Sequence, residues 1–148
     1  MPRLLGRGIT KHENRTGRRL TPELYFRINP NLPQMDDEEG KMVLRNFPGL
    51  KVCVPHLGFD EITAYRKLIE KYDTLWLDTT MMLADYFPLE DRVELDGFRM
   101  DRILYGSDFP NIPYAWDREL KRLETAGLSW SQLEWILHKS AVDLFRLD

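Results

Sequence analysis

The residues best suited to chemistry are a histidine and an aspartate, His56 and Asp108, each of which follows a short apolar segment. His56 stands in a Pro-His-Leu-Gly turn, and Asp108 stands in Gly-Ser-Asp-Phe-Pro about 50 residues later. A neutral imidazole and a carboxylate are ordinary ligands for zinc or manganese. A bound divalent ion lowers the pKa of its water, and a carboxylate beside that water can take the proton. The two residue types therefore predict a metal-assisted site, provided that the fold brings them together.

Each residue also has a purely structural interpretation. His56 could be a core histidine with satisfied hydrogen bonds or a helix cap, and Asp108 could be a turn former bonded to its own backbone. Three further residues are weaker candidates for substrate binding. Asp78 closes a second apolar segment, where it could instead be a cap or a hydrogen-bond acceptor behind the site. Tyr114 and Trp116 follow Asp108 and could line a pocket, although core packing explains them equally well.

Three apolar segments ahead of these residues have the length and composition of buried strands. The segments are residues 50–54, 75–79 and 102–105. In parallel α/β folds, ligands bind beyond the carboxyl ends of the strands. His56, Asp78 and Asp108 would therefore share one edge of the sheet, where neighbouring strands are about 4.8 Å apart.

The remaining segments carry helical patterns. A first helix is predicted over residues 36–47, because acidic residues crowd its first turn and Pro48-Gly49 ends it. A second helix follows Asp60, which is a good N-cap, and a third covers residues 116–126. Residues 81–87 are apolar and are predicted to form a short helix or a buried loop.

The last helix has the clearest pattern. Ser129 and Gln132 form a capping box, and the apolar residues that follow predict a continuous buried stripe. The stripe comprises Leu133, Ile136, Leu137, Ala141, Leu144 and Phe145. The alternation of strands and helices along the chain favours an α/β fold with a parallel sheet and right-handed crossovers.

Several of these segments resemble motifs of one enzyme family, the amidohydrolase-related (amidohydrolase 2) family. Residues 51–58 resemble its sixth strand, which ends in a His-x-Gly turn. Residues 101–110 resemble its eighth strand, which ends in Gly-(Ser/Thr)-Asp-(Phe/Tyr)-Pro. Residues 136–145 look like its closing helix, usually written I-L-x-x-N-A-x-x-L-F, and residues 75–80 would be the seventh strand. The resemblance covers about Asp36 to Asp148.

The resemblance implies the C-terminal portion, about strands 6–8 with their helices, of a TIM-like (β/α)₈ barrel. It also implies a metal-dependent hydrolase or decarboxylase that uses zinc or manganese and acts on a small-molecule substrate. By resemblance, His56 would be a metal ligand or a substrate polariser. Asp108 would be the general base and a metal ligand.

The chain departs from the family pattern in its metal ligands and in its closing helix. The His-x-His motif of the first strand is absent, because the only histidines are His12, His56 and His138. His12 lies near the distance expected for the fifth-strand histidine and is a weak candidate ligand. Ser140 replaces the asparagine of the closing helix. These departures predict weak metal affinity or a lost metal.

The length of the chain also departs from that of the family. A complete barrel of this type needs about 250 residues, whereas the chain has 148. It is therefore expected to be a truncated product, a partial gene product or one piece of an assembly. Three strands would leave an unpaired sheet edge, through which copies could associate, and a poorly covered sheet face. The alternative to an enzyme is a catalytically inactive remnant that acts as an interaction module.

Composition and charge limit the remaining possibilities. Residues 1–35 are predicted to be a basic, irregular arm, with six Lys or Arg and one acid in residues 1–19, and residues 36–148 a partial domain. The arm has little aromatic content and no recognisable binding motif, so nucleic-acid binding is not favoured. No apolar run approaches the roughly 20 residues that span a bilayer. The single cysteine, Cys53, excludes an internal disulfide and favours a reducing, cytoplasmic setting.

Overall fold

The computed structural model describes residues 37–86 and 92–147, which lie in a compact unit that spans Asp36–Asp148. The predicted basic arm and His12 lie outside the described residues. The helices and strands are α1 Asp37–Asn46, β1 Val52–Val54, α2 Ile62–Lys71, β2 Leu75–Asp78, β3 Ile103–Leu104, α3 Arg118–Glu124, α4 Trp130–Glu134 and α5 Ser140–Phe145. Two 3₁₀ turns, Pro55–Glu61 and Met100–Arg102, and one π turn, Trp135–Lys139, connect some of them.

The strands of the described residues form a parallel sheet in the order β1-β2-β3. Val54 pairs with Leu77, and Leu77 pairs on its other side with Ile103. The predicted α/β class is therefore confirmed. The strand β3 is shorter than predicted, because the peptide N–H of Arg102 donates to Arg99 O within a 3₁₀ turn and is not available to the sheet.

One face of the sheet and the helices that cover it enclose the apolar core. The core side chains include Leu44, Val52, Leu57, Tyr65, Leu68, Ile69, Leu75, Leu77, Ile103, Leu123 and Ile136. Central strands of a parallel sheet are apolar on both faces, because helices and loops cover each face. This explains why β2 reads as a continuous apolar run and not as an alternating one.

Trp76 of β2 points to the opposite face and is also buried, at 1% exposure. The Lys51 ammonium lies 5.2 Å from the centre of its ring, and the Arg102 guanidinium lies 4.7 Å from it. Lys51 also donates to the carbonyl oxygens of Asp143 and Leu144, at 2.6 and 3.1 Å, near the end of α5. The face of the sheet that bears Trp76 is therefore covered at this residue.

The connections after β1 and β2 differ from the predicted ones in detail. The helix α2 is capped by Glu61 without a side-chain hydrogen bond, so the prediction that Asp60 caps it is wrong. The 3₁₀ turn Pro55–Glu61 extends one residue beyond Asp60 and delays the start of α2. Residues 81–87 were predicted to form a short helix or a buried loop. Met82, Leu83 and Ala84 are buried in successive turns, so the buried loop is the correct alternative for this part of the segment.

The last helix does not bury a continuous stripe, so that prediction is wrong. Ile136 is buried, but Leu137 is 45% exposed and Phe145 is 53% exposed. The π turn Trp135–Lys139 adds a residue to one turn and rotates the rest of the helix, so that the apolar residues leave a single face. The carbonyl oxygen of Ile136 accepts a hydrogen bond of 2.9 Å from the peptide N–H of Tyr105, directly after β3.

The predicted capping box at the start of α4 is confirmed. Ser129 Oγ accepts from the peptide N–H of Gln132, and the Gln132 side chain accepts from the peptide N–H of Ser129. We expect Ser129→Ala to lower the free energy of unfolding by about 1 kcal/mol. Urea unfolding measures this change. Ser131→Ala, at an exposed position inside α4, is the control, and an equal loss in both variants would contradict the capping role.

No helix of the described ranges is both long and apolar enough to cross a membrane.

Candidate active site at the carboxyl ends of the strands

The three candidate residues that end or follow the strands lie at one edge of the sheet. His56 follows β1 by two residues, Asp78 is the last residue of β2, and Asp108 follows β3 by four residues. Because the strands are parallel, their carboxyl ends meet at this edge. The side chains of all three residues are partly buried.

His56 is held by the residues that follow β2. Its peptide N–H donates to Asp78 Oδ1 at 3.2 Å, and its Nδ1 lies 2.8 Å from the carbonyl oxygen of Thr80. A carbonyl oxygen can only accept, so Nδ1 carries a proton and donates this hydrogen bond. Metal-binding histidines commonly have their second ring nitrogen held in this way.

The turn that carries His56 has an unusual backbone. His56, Leu57 and Gly58 follow one another with positive φ angles of 56°, 52° and 85°. Positive φ is uncommon for residues other than glycine and persists only where the surroundings impose it. Here the hydrogen bonds with Asp78 and Thr80 hold His56, the first residue of this left-handed run, with its imidazole toward the residues that follow β2.

The side chain of Asp78 accepts hydrogen bonds from the backbone of this turn and of the segment after β2. Its Oδ1 accepts from the peptide N–H of Thr80 at 3.1 Å as well as from that of His56. The carboxylate thus ties the end of β1 to the end of β2, which corresponds to the acceptor interpretation of this residue. A contact between Asp78 and a substrate stays a prediction.

Asp108 lies in a turn that packs against the end of β2. The peptide N–H of Gly106 donates to Thr79 Oγ1 at 3.2 Å, and a Cβ atom at Gly106 would overlap the side chain of Thr80. Asp108 itself has a positive φ of 57°, and its carbonyl oxygen accepts from the peptide N–H of Asn111 at 2.7 Å. The turn-former interpretation therefore describes the backbone of Asp108, while its carboxylate remains a candidate base.

Glu119, which the sequence did not single out, is a completely buried carboxylate at this edge, with 0% exposure. It lies in the first turn of α3 and accepts from the peptide N–H groups of Met81, at 2.9 Å, and Leu83, at 3.3 Å. The hydroxyl of Tyr114 donates to it at 3.1 Å. One sequence signal could have found it, since Glu119 shares a helix face with the buried Leu123, four residues later.

The two aromatic candidates have different surroundings. Burial raises the pKa of the Tyr114 phenol, and the negative charge of Glu119, to which the hydroxyl donates, adds to the rise. The Tyr86 ring is 5.6 Å from the Tyr114 ring. Trp116 is 58% exposed. Substrate binding by Tyr114 and Trp116 stays a prediction.

The surroundings of Glu119 predict a pH-dependent cost of removing its carboxyl group. Burial raises the pKa of Glu119, and the negative charge of Asp78 adds to the rise, although its three hydrogen bonds oppose it. A carboxyl group with a raised pKa in the folded protein stabilises the fold below its unfolded pKa. That contribution is lost as the pH rises through the folded pKa.

We therefore expect Glu119→Gln to lower the free energy of unfolding more at about pH 4 than at about pH 8. Urea unfolding of both proteins at the two pH values measures the difference. A larger loss at the higher pH would mean that hydrogen bonding outweighs burial and holds the pKa of Glu119 below its ordinary value.

A metal ion would find an incomplete set of ligands among the described residues. No group of three or more His, Cys, Asp or Glu side chains in these ranges could hold a metal ion. His56 suits a ligand, because its ring is held through Nδ1 as in many metal-binding histidines, and Asp108 supplies a carboxylate of suitable chemistry. His12 is outside the described residues, and His138 is exposed on the π turn of the last helix. The described site thus offers two candidate ligands.

Comparison with known proteins identifies the family. The sequence profile of the amidohydrolase family matches residues 23–147, which is most of the chain. The chain therefore belongs to the amidohydrolase family, as the strand-end motifs at His56 and Asp108 predicted. The profile match begins at residue 23, whereas the motif resemblance begins at about Asp36. No curated protein and no solved structure gave a significant match.

The family assignment gives the general class of function. Amidohydrolases are hydrolases or decarboxylase-like enzymes that act on small molecules and are generally metal-dependent. These properties agree with an imidazole and a carboxylate delivered to one edge of a parallel sheet.

Proposed function

We propose that this chain carries the active site of a metal-dependent hydrolase or decarboxylase that acts on a small molecule, with His56 and Asp108 as its principal residues. The observation that carries the proposal is the placement of both residues at the carboxyl edge of one parallel sheet, with the His56 tautomer set by Thr80. The family membership supports the reaction class.

His56 and Asp108 have distinct roles in this proposal. The imidazole of His56 would hold a divalent zinc or manganese ion or polarise the substrate, because Thr80 holds the ring through Nδ1 at the edge of the sheet. Asp108 is the second ligand and the general base, which accepts a proton and returns it to the leaving group. When bound, the ion would lower the pKa of water and polarise the bond to be broken. His12 stays a weak candidate for a further ligand.

We infer further that β1, β2 and β3 correspond to strands 6–8 of a (β/α)₈ barrel. The parallel order and the position of the site at the carboxyl ends are both features of that fold. The single cysteine, Cys53, supports a cytoplasmic setting. Association of copies through the sheet edge also stays part of the proposal.

Metal binding and turnover by the purified full chain test the proposal. Titration with zinc and with manganese is expected to give about one bound ion per chain, with weaker binding in His56→Ala and Asp108→Asn. A panel of simple amides, lactones and carboxylic acids then tests hydrolysis and decarboxylation. His138→Ala is the matched control, because this histidine is exposed on the last helix. A chain that binds neither ion and transforms no compound, or variants that bind as the parent does, would contradict the proposal.

A further inference from the structure

The completely buried carboxylate of Glu119 and the imidazole of His56 both form hydrogen bonds with the same peptide group. Glu119 Oε1 accepts from the peptide N–H of Met81 at 2.9 Å, and the carbonyl oxygen of Thr80 accepts from His56 Nδ1 at 2.8 Å. That N–H and that carbonyl belong to the single peptide bond between Thr80 and Met81. The peptide bond is planar and rigid, so the position of its N–H determines the direction of its carbonyl.

Glu119 also determines the conformation of the loop that contains this peptide. Met81 has a positive φ of 63°, which is unusual for a residue with a long side chain. The second carboxylate oxygen accepts from the peptide N–H of Leu83, two residues further along the same loop. One buried carboxylate thus accepts two hydrogen bonds from the loop and holds it in a conformation that its own sequence does not favour.

We propose that Glu119 is a positioning residue for His56, acting through the Thr80–Met81 peptide group. A carboxylate that accepts the N–H polarises the peptide, and a polarised peptide has a stronger acceptor at its carbonyl oxygen. The carbonyl then keeps a proton of His56 on Nδ1. The catalytic meaning of this arrangement depends on the function proposed above, but the hydrogen-bonded chain itself does not.

The charge of the Glu119 carboxylate is what the chain of hydrogen bonds requires. All three of its partners, the N–H groups of Met81 and Leu83 and the hydroxyl of Tyr114, are donors. An ionised carboxylate accepts at both oxygens, whereas an amide accepts only at one. Glu119→Gln therefore preserves the size of the side chain, removes one of the two bonds to the loop, and replaces the charged acceptor of the Met81 N–H with a neutral one, which polarises the peptide less.

The tautomer of His56 in the metal-free full chain tests the proposal, measured by ¹⁵N NMR at about pH 8, where histidine is largely neutral. In the parent protein we expect His56 to be in the Nδ1–H form. In Glu119→Gln we expect the ratio of the Nε2–H to the Nδ1–H form to rise about tenfold, together with an about tenfold faster hydrogen exchange at the Met81 amide. The exposed His138 is an internal reference, whose tautomer ratio should not change.

Two control variants separate this role from a general effect on the fold. Glu124→Gln changes an exposed glutamate of the same helix and should leave both measurements unchanged. Tyr114→Phe removes the third bond to Glu119 but neither bond to the loop, and it should also leave the His56 tautomer unchanged. Equal effects in Glu124→Gln, or no effect in folded Glu119→Gln, would overturn the proposal.

A double variant, Met81→Gly with Glu119→Gln, keeps the test decisive if Glu119→Gln alone does not fold. Met81→Gly supplies a residue that adopts positive φ without strain, so the loop depends less on Glu119 for its conformation. The double variant should fold and should still show the shifted tautomer. Failure of both variants to fold would overturn the proposal, because Glu119 would then be needed by the fold as a whole. A shifted tautomer in a chain without turnover would instead contradict the proposed function alone.

Discussion

Substituting asparagine for Asp108 is expected to reduce kcat/KM by about 10²- to 10⁴-fold, the contribution typical of a positioned general base. An amide has the shape of the carboxylate but cannot accept the proton. The positive φ of 57° at this position should persist, because asparagine is among the residues that adopt it most readily. The loss should therefore lie in the chemistry and not in the fold. Steady-state kinetics on the compound turned over fastest, with circular dichroism of both proteins, measures it.

A matched substitution separates the charge of Asp108 from charge in general. Asp96→Asn changes an exposed aspartate outside the strand ends and should leave kcat/KM within about twofold of the parent value. If Asp108→Asn were as active as the parent, Asp108 would be only a turn former, as its backbone bond to Asn111 allows. The general base would then have to be sought elsewhere.

The second large effect is expected at Gly58, in the turn that carries His56. We expect Gly58→Ala to lower the free energy of unfolding by about 2–5 kcal/mol, since a left-handed backbone costs about 1–2 kcal/mol and overpacking costs about 1–3 kcal/mol. The φ of 85° disfavours any side chain, and the new Cβ would lie 2.8 Å from Cγ of Tyr65. Tyr65 is only 1% exposed, so its ring cannot move aside without disturbing the core. Urea unfolding measures the loss.

Gly49→Ala is the matched control for this glycine. A Cβ atom at Gly49 would have no described atom within 4 Å, and its backbone is not left-handed. We expect a change below about 0.5 kcal/mol. Similar losses at both glycines would mean that the turn of Gly58 is not confined by Tyr65. The left-handed turn would then not be needed to hold His56 in place.

The sequence by itself determined the parallel α/β arrangement and the shared edge of the candidate residues. Apolar runs such as residues 75–79, and the Ser129–Gln132 capping box, are local patterns, and local patterns depend on neighbouring residues alone. Once the strands are parallel, the positions of His56, Asp78 and Asp108 at one edge follow from their place after each strand. The family membership could also be predicted from the sequence, because each of the family's motifs is a contiguous run of residues.

Only the tertiary structure decided which distant groups meet at that edge. The helical period places Glu119 on the same face as the buried Leu123, but its role as an acceptor follows from contacts with the loop at Met81, 38 residues away. The dual role of Asp78 as acceptor for two peptide N–H groups depends in the same way on the turn after β1. The π turn of the last helix likewise exposes Leu137 and Phe145, which a regular helical period places on a buried face. Hydrogen bonds between remote segments leave no periodic signal in a sequence, so the acceptor roles of Glu119 and Asp78 could not be predicted. A single inserted residue leaves none either, so the π turn and the exposure that follows from it could not be predicted.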